Sequence, residues 1–409
     1  MFTVARKRRI FVVHSVVANI RQSLYAKCLG IAVVWQVTFT AMGVFIVSNF
    51  PKSSGVSFDY WLESPLRYMV NWDGFAYYHN LLGGYTDTMS QGAVFYPLFS
   101  VLVYALHFVT LGLIPVVVCG LIINTIALSI IIWCFVKICK ILAINYKWAL
   151  LFFFTFVSAG FLNFFYTEAV FIAGSLLAYY FALSKQWFKM ALVLGVLTSV
   201  RLPAILVIGL CGLEFMRAHD YKIKQILNKN LFVFLLAPTG FILFGLYLYI
   251  VRGDFFAMFN MYNVPWTQWP FHKFDPNIVG TLYGGVNDFY ESVSLRTRSL
   301  SSALVAYILP FYALIILLVT SLYGIFKIKK WAIPLGVFGL VSFVFFTINS
   351  NVNSVHRYVL SSISVFLILS YIAMNTNKLG RASLLMFAAI NAIIMVALFA
   401  GFVLLYFVG

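Results

Sequence analysis

Charge is what this chain has least of. Only 10% of its 409 residues are Asp, Glu, Lys or Arg, and just 11 are acidic, where an average soluble domain is about 25% charged. Hydrophobic residues make up 63%. That balance excludes a soluble enzyme, a secreted disulfide scaffold and a disordered chain. Cysteine is scarce as well. Cys28, Cys119, Cys134, Cys139 and Cys211 all lie in or beside apolar runs, and no Cys-x-x-Cys occurs. Neither a zinc site nor a redox pair is indicated, and buried small hydrophobes account for all five. Gly-x-x-x-x-Gly-Lys-Ser/Thr, Gly-x-Gly-x-x-Gly and Asp-x-Asp are all missing. With them go the usual phosphate-cradling loops and the usual metal site for a nucleotide sugar. His79, His272 and His356 are scattered without ligand spacing, so no metal and no cofactor is expected.

What is present is long apolar runs. About 20 apolar residues carry a helix across a bilayer. Runs of that kind occupy 29–49, 116–137, 231–251, 302–326, 331–348, 356–374 and 383–407. The nearly continuous stretch 148–217 is punctuated three times and divides into 148–165, 167–184, 188–201 and 202–217, the last two short. The run at 29–49 is too long for the core of a signal peptide and lacks a small-residue cleavage site, so it reads as a retained first span.

The net charge of +17 would suggest nucleic acid in a soluble protein. Here it reports topology, because Lys and Arg collect on the cytoplasmic side. The segment 93–112 decides the count. If it lies along the interface and the N-terminus is inside, the cytoplasmic segments are 1–28, 138–147, 185–189, 217–230, 327–330 and 375–382. With the span ends that adjoin them, they hold 20 of the 28 basic residues and only Glu214 and Asp220 among the acids, a net +18 against −1 outside. If 93–112 crosses, every later loop inverts and the Arg217–Lys229 cluster faces outward. The first arrangement is preferred. It predicts an all-α polytopic membrane protein of about eleven transmembrane helices, one domain over 1–409, with an interfacial helix in the first outer loop and large outer loops at 50–115 and 252–301. No nucleic-acid partner is expected. The absence of Asn-x-Ser/Thr sequons favours a prokaryotic plasma membrane over an ER membrane.

Because acids are so few, those on the outer face are informative. Asp73 sits in Asn71-Trp-Asp-Gly-Phe-Ala-Tyr-Tyr78, just past a span. A carboxylate framed by Trp72, Phe75, Tyr77 and Tyr78 is partly desolvated, which suits a general base; a helix cap or a surface acid is the plainer reading. Trp61, Trp72, Trp266 and Trp269 fall in the large outer loops, as an interfacial aromatic belt or as sugar-stacking surfaces. Phe95-Tyr-Pro97 would start the interfacial helix, since Pro suits a first turn. Glu168 ends a span and Arg201 separates two short apolar runs, while His356 and Arg357 open a span. Ionisable groups at a membrane boundary are functional hypotheses by default. Glu168 reads equally as a helix cap, and each Arg as a lipid-headgroup contact. Together, two arginines and one exposed carboxylate on one face suit a phosphate leaving group and a deprotonated hydroxyl.

The block Asn71-Trp-Asp-Gly-Phe, then Gly84-Tyr85, then Ala93-Val-Phe-Tyr-Pro-Leu98 resembles the PIG-V family, the GPI mannosyltransferase II type. Phe165-Tyr-Thr-Glu-Ala-Val-Phe171 resembles that family's Tyr-Ser-Glu-Ser-x-Phe turn. Thr198-Ser-Val-Arg201 falls where the family has a Thr-Arg-Ser-Asn-Gly-like segment, and His356-Arg357-Tyr358 resembles the Arg that opens a late span. The motifs cover about residues 30–210. Leu202-Pro203 replaces the family's Asn-Gly, and Leu98-Phe99 stands where a second Pro often follows. The resemblance implies a GT-C-like bundle with its site on the outer face. It implies a polyprenyl-phosphate sugar donor, with mannose the first choice, and a lipid-linked or glycan acceptor. Asp73 is then the catalytic base, and Trp72, Tyr77, Glu168, Arg201, His356 and Arg357 bind substrate. The rival expectations are a lipid-linked glycan transporter or flippase, and a glycan polymerase or ligase.

Overall fold

The computed structural model describes residues 23–51, 64–86, 92–260, 275–296, 298–328, 330–348 and 351–406. Among them the regular structure is entirely helical. In chain order the longer helices are α1 (Leu24–Asn49), α2 (Asp73–Gly83), α3 (Leu98–Val109), α4 (Val116–Leu142), α5 (Tyr146–Thr155), α6 (Glu168–Leu183), α7 (Trp187–Leu197) and α8 (Ala204–Ala218). They continue with α9 (Thr239–Arg252), α10 (Ile278–Ser294), α11 (Leu309–Tyr323), α12 (Ala332–Thr347), the short α13 (Val355–Leu360), α14 (Ile363–Asn375) and α15 (Lys378–Val403). Five apolar stretches of 24–27 residues are long enough to cross a membrane: α1, α4, Lys229–Arg252, Leu304–Ile328 and α15. At a rise of about 1.5 Å per residue each exceeds the roughly 30 Å hydrocarbon core. α3, α6, α7, α12 and α14 are apolar but shorter.

α4 is the spine, packed against α1 on one side and α6 on another; α6 continues into α7 and α8, and α15 closes the bundle against α1 and α5. Small residues let backbones approach where helices meet. At Gly240 a Cβ would collide with the Gly195 carbonyl and the Ser199 amide, so α7 and α9 touch through backbone there.

Several runs that read as single spans are broken. The run 148–165 is helical only to Thr155; the chain then takes an irregular and 3₁₀ course through Ala159–Asn163 before α6 begins at Glu168. The run 356–374 divides into α13 and α14 at Ser361–Ser362, and 231–251 divides into a 3₁₀ stretch at Lys229–Leu236 and α9. Non-helical backbone inside a bundle needs other hydrogen-bond partners. Buried amides supply them around 156–167. Gln36 Nε2 donates to the Leu162 carbonyl at 3.0 Å and Asn124 Nδ2 to that of Phe164 at 2.7 Å. Phe164 stacks on Phe402 with centroids 3.7 Å apart, and Phe161 meets the same ring edge-on at 5.4 Å. This aromatic wedge pins the break.

Within 93–112 the helix is α3, preceded by Pro97 as expected. Its 12 residues reach about 18 Å. Trp61, Trp266, Trp269 and His272 lie outside the described residues.

Candidate functional site

Asp73 is the first residue of α2 and Glu168 the first of α6. Both carboxylates therefore sit at helix N-termini, where the helix dipole favours negative charge. Trp72, immediately before Asp73, holds φ 55°, ψ −124°, a conformation that costs a non-glycine residue of order 1–3 kcal/mol. The position is held by hydrogen bonds across the bundle. Phe165 N–H donates to the Met69 carbonyl at 2.9 Å. The Asp73 amide donates to Tyr166 Oη at 3.1 Å, and that hydroxyl donates onward to the Asn71 carbonyl at 3.2 Å. The α2 entry and the Phe165-Tyr-Thr-Glu168 turn are thus one locked unit.

Four charges converge on it. Arg357 Nη2 lies 2.9 Å from Asp73 Oδ2 and 2.9 Å from Glu168 Oε1, and its Nε reaches the same Glu168 oxygen at 3.3 Å. Arg201 Nη1 is 3.0 Å from Glu168 Oε1. The side chains differ sharply in access: Asp73 is 40% exposed and Arg201 14%, whereas Arg357 is 3% and Glu168 1%. The Arg357 guanidinium lies over the rings of Tyr166 and Phe161, 4.8 and 4.9 Å from their centroids, and Arg201 lies over Tyr358 at 5.5 Å. Such cation–π contacts strengthen as water is excluded. Two cations and two anions cancel, so a neutral cluster presents one accessible carboxylate backed by a buried guanidinium.

Arg201 and Arg357, read from sequence as phosphate ligands or headgroup contacts, are both paired with Glu168. Glu168 is itself 1% exposed, with one carboxylate oxygen turned to both arginines. Tyr77 is buried, with its hydroxyl 3.2 Å from Thr167 Oγ1, so it supports the Glu168 turn from behind. Burial pushes its phenol up from the ordinary value, and burial does the same to Tyr166; both hydroxyls keep their protons. Trp72 is half-buried against the core. His356 has no solvent-accessible surface, and its carbonyl accepts a hydrogen bond from Ser158 at 2.8 Å. Sequence reasoning missed Tyr166, Phe161 and Tyr358. The signal available was adjacency: Tyr166 is two residues from Glu168 and Tyr358 follows Arg357.

Beside the cluster, α2, α3, α7 and α9 enclose a cavity of about 700 Å³ whose wall is mainly apolar and includes Asn80, Ser100, Val196, Phe244 and Tyr247. None of the four charged residues lines it; bonded neighbours connect its wall to them. Ser100 Oγ donates to the Tyr77 carbonyl at 3.0 Å, and Tyr77 meets Thr167 next to Glu168. Among the described residues no group of three or more His, Cys, Asp or Glu is placed to hold a metal.

The helices define a class, the helical membrane protein. No protein-family model matches the chain, and neither does any curated protein.

Proposed function

We propose that this protein is a membrane glycosyltransferase that moves a sugar from a polyprenyl-phosphate donor to a lipid-linked or glycan acceptor. The observation that carries this reading is the cluster itself: one accessible carboxylate, Asp73, bonded to a buried arginine that a second carboxylate and a second arginine hold in place. The Trp-Asp block and its resemblance to PIG-V support it, with mannose the first sugar to test. The apolar cavity beside α2 has the character a lipid-borne donor requires. The Lys/Arg distribution supports a bundle of about eleven spans with this end on the non-cytoplasmic face, where nucleotide sugars are absent. α3 is then the interfacial helix, the placement that keeps the Arg217–Lys229 cluster on the cytoplasmic side.

The donor phosphate approaches Arg201 and Arg357 and takes over the bond that Arg357 makes to Asp73. Release of that bond frees Asp73 Oδ2 to accept the proton of the acceptor hydroxyl. The hydroxyl oxygen attacks the anomeric carbon from the face opposite the phosphate. As the new C–O bond forms, the bond to the phosphate oxygen breaks, and the electron pair leaves on the polyprenyl phosphate. A single displacement of this kind inverts the anomeric centre. The guanidiniums stabilise the growing phosphate charge, and the planar fork of arginine suits that task. Glu168 is the counter-charge that keeps two arginines together in a poorly solvated place.

The test is transfer from polyprenyl-phosphate-[¹⁴C]sugars, several sugars being tried, in membranes holding the wild-type chain or Asp73→Asn. Loss of a general base costs about 10²–10⁴-fold in rate, with the variant still present in the membrane. Near-normal transfer by Asp73→Asn sinks the assignment. Transport without transfer by the wild-type chain would favour a flippase. Transporter sites lie near the bilayer midplane, whereas the Lys/Arg distribution supports a place for this cluster at the outer end of the bundle.

A further inference from the structure

The helix α10 has three faces. Thr281, Leu282, Gly285, Phe289 and Ser292 turn toward the protein. Val279, Tyr283, Val286, Tyr290 and Val293 form a second stripe at alternating spacings of four and three. All five are exposed, between 38% and 77%. Asn287, Asp288 and Glu291 occupy the third face, with Asn287 Nδ2 donating to Glu291 Oε1 at 2.8 Å. A helix that only packs on a protein and faces water has two faces. The third, apolar one needs a third environment.

Its place in the bundle says which. Five residues separate α10 from the next helical turn at Leu300, which leads into the apolar stretch Leu304–Ile328. Phe289 packs on Ala303, Ala306 and Tyr307, at the first turns of that stretch, and the Arg298 guanidinium stands 5.7 Å from the Tyr307 ring. α10 therefore lies against a spanning stretch where the chain enters the membrane. It is not itself among the apolar helices; Asp288 and Glu291 face away from the stripe. Tyrosines on an apolar stripe favour the headgroup level, where one end of the ring is dry and the other wet. The buried face reaches the segment just before α13. The missing side chain of Gly285 admits Val352 and Phe311, whose atoms would stand 2.9 and 3.2 Å from a Cβ. Asp275 N–H donates to the Ile348 carbonyl at 2.9 Å. Val352 precedes Arg357 by five residues.

We propose that α10 is a lipid anchor. Its Val279–Val293 stripe is seated in the headgroup and upper acyl region of the bilayer, and its buried face braces the turn that carries Arg357. The occupant of the stripe is lipid, since an amphipathic helix of this composition at a span's entrance gains most by lying in the interface. The inference rests on the membrane-spanning character of Leu304–Ile328 and not on the reaction proposed above.

The test places single spin labels along residues 279–293 of the full chain in phosphatidylethanolamine–phosphatidylglycerol vesicles and measures collision with oxygen and with a water-soluble nickel chelate. The expected pattern has oxygen collisions several-fold above nickel collisions at 279, 283, 286, 290 and 293, and the reverse at 287, 288 and 291. Nickel access at the stripe equal to that at 288 overturns the proposal. So does loss of both collisions with dipolar broadening, which would mean a second copy covers the stripe. The brace is tested by amide hydrogen exchange over 351–358 in Val286→Glu/Tyr290→Glu. Exchange should quicken at least several-fold while that of α4 stays unchanged; unchanged exchange over 351–358 refutes the brace.

Discussion

Replacing Glu168 by Gln probes the point where the cluster is most committed. Glu168 is 1% exposed, and one of its oxygens accepts from Arg357 Nη2, Arg357 Nε and Arg201 Nη1. Gln keeps the shape and one acceptor but removes the charge. Arg357 is 3% exposed, so it is left as a poorly solvated cation whose remaining partner in the cluster is the half-open Asp73. Breaking a buried pair by removing one partner costs about 3–5 kcal/mol. The retained amide oxygen argues for the lower end, near 3 kcal/mol by the same measure. Asp73→Asn removes the accessible member, whose pairing is screened, and should cost about 0–1 kcal/mol. The assay is equilibrium unfolding in mixed micelles, run as a cycle with Arg357→Met. The double variant no longer strands the cation at that position, so its loss should fall short of the sum of the single losses by about 1 kcal/mol or more. If Glu168→Gln costs less than Asp73→Asn, or if the two losses simply add, Glu168 is not the keystone and the electrostatic argument fails.

Tyr166→Phe removes a hydroxyl that accepts from the Asp73 amide and donates to the Asn71 carbonyl. Its stability cost should be about 1 kcal/mol; transfer should fall at least tenfold at saturating donor, and a fall confined to KM would contradict a role in orienting Asp73. Val196→Trp adds an indole to the wall of the α2–α3–α7–α9 cavity. Competition between long- and short-chain donors should then shift at least tenfold toward the short chain, whereas equal loss on both would place the lipid elsewhere.

Much of the site was legible before folding. In a chain with 11 acids, membrane-boundary charges stand out, and Asp73, Glu168, Arg201 and Arg357 did so without any structure. Their partners did not. Arg201 and Arg357 read as phosphate ligands or as contacts to lipid headgroups, because nothing in the sequence shows that Glu168 is their partner. Glu168 and His356 read as substrate contacts because sequence position gives depth along a span but not which way a side chain turns. The breaks at 156–167 and 361–362 were also hidden. Hydropathy averages over a run and cannot register that Gln36 and Asn124 supply hydrogen bonds a broken helix loses.

The sequence by itself determined the membrane class, the apolar stretches and the short set of residues able to do chemistry, because hydropathy and the cost of burying charge are properties of local composition. Only the tertiary structure decided that those residues form one neutral cluster. Glu168 and Arg357 are 189 positions apart and Asp73 and Arg357 are 284 apart. Nothing local links them. They meet because α2, α6 and α13 are packed to one end of the bundle, where Glu168 makes it affordable to bury two arginines beside a single open carboxylate.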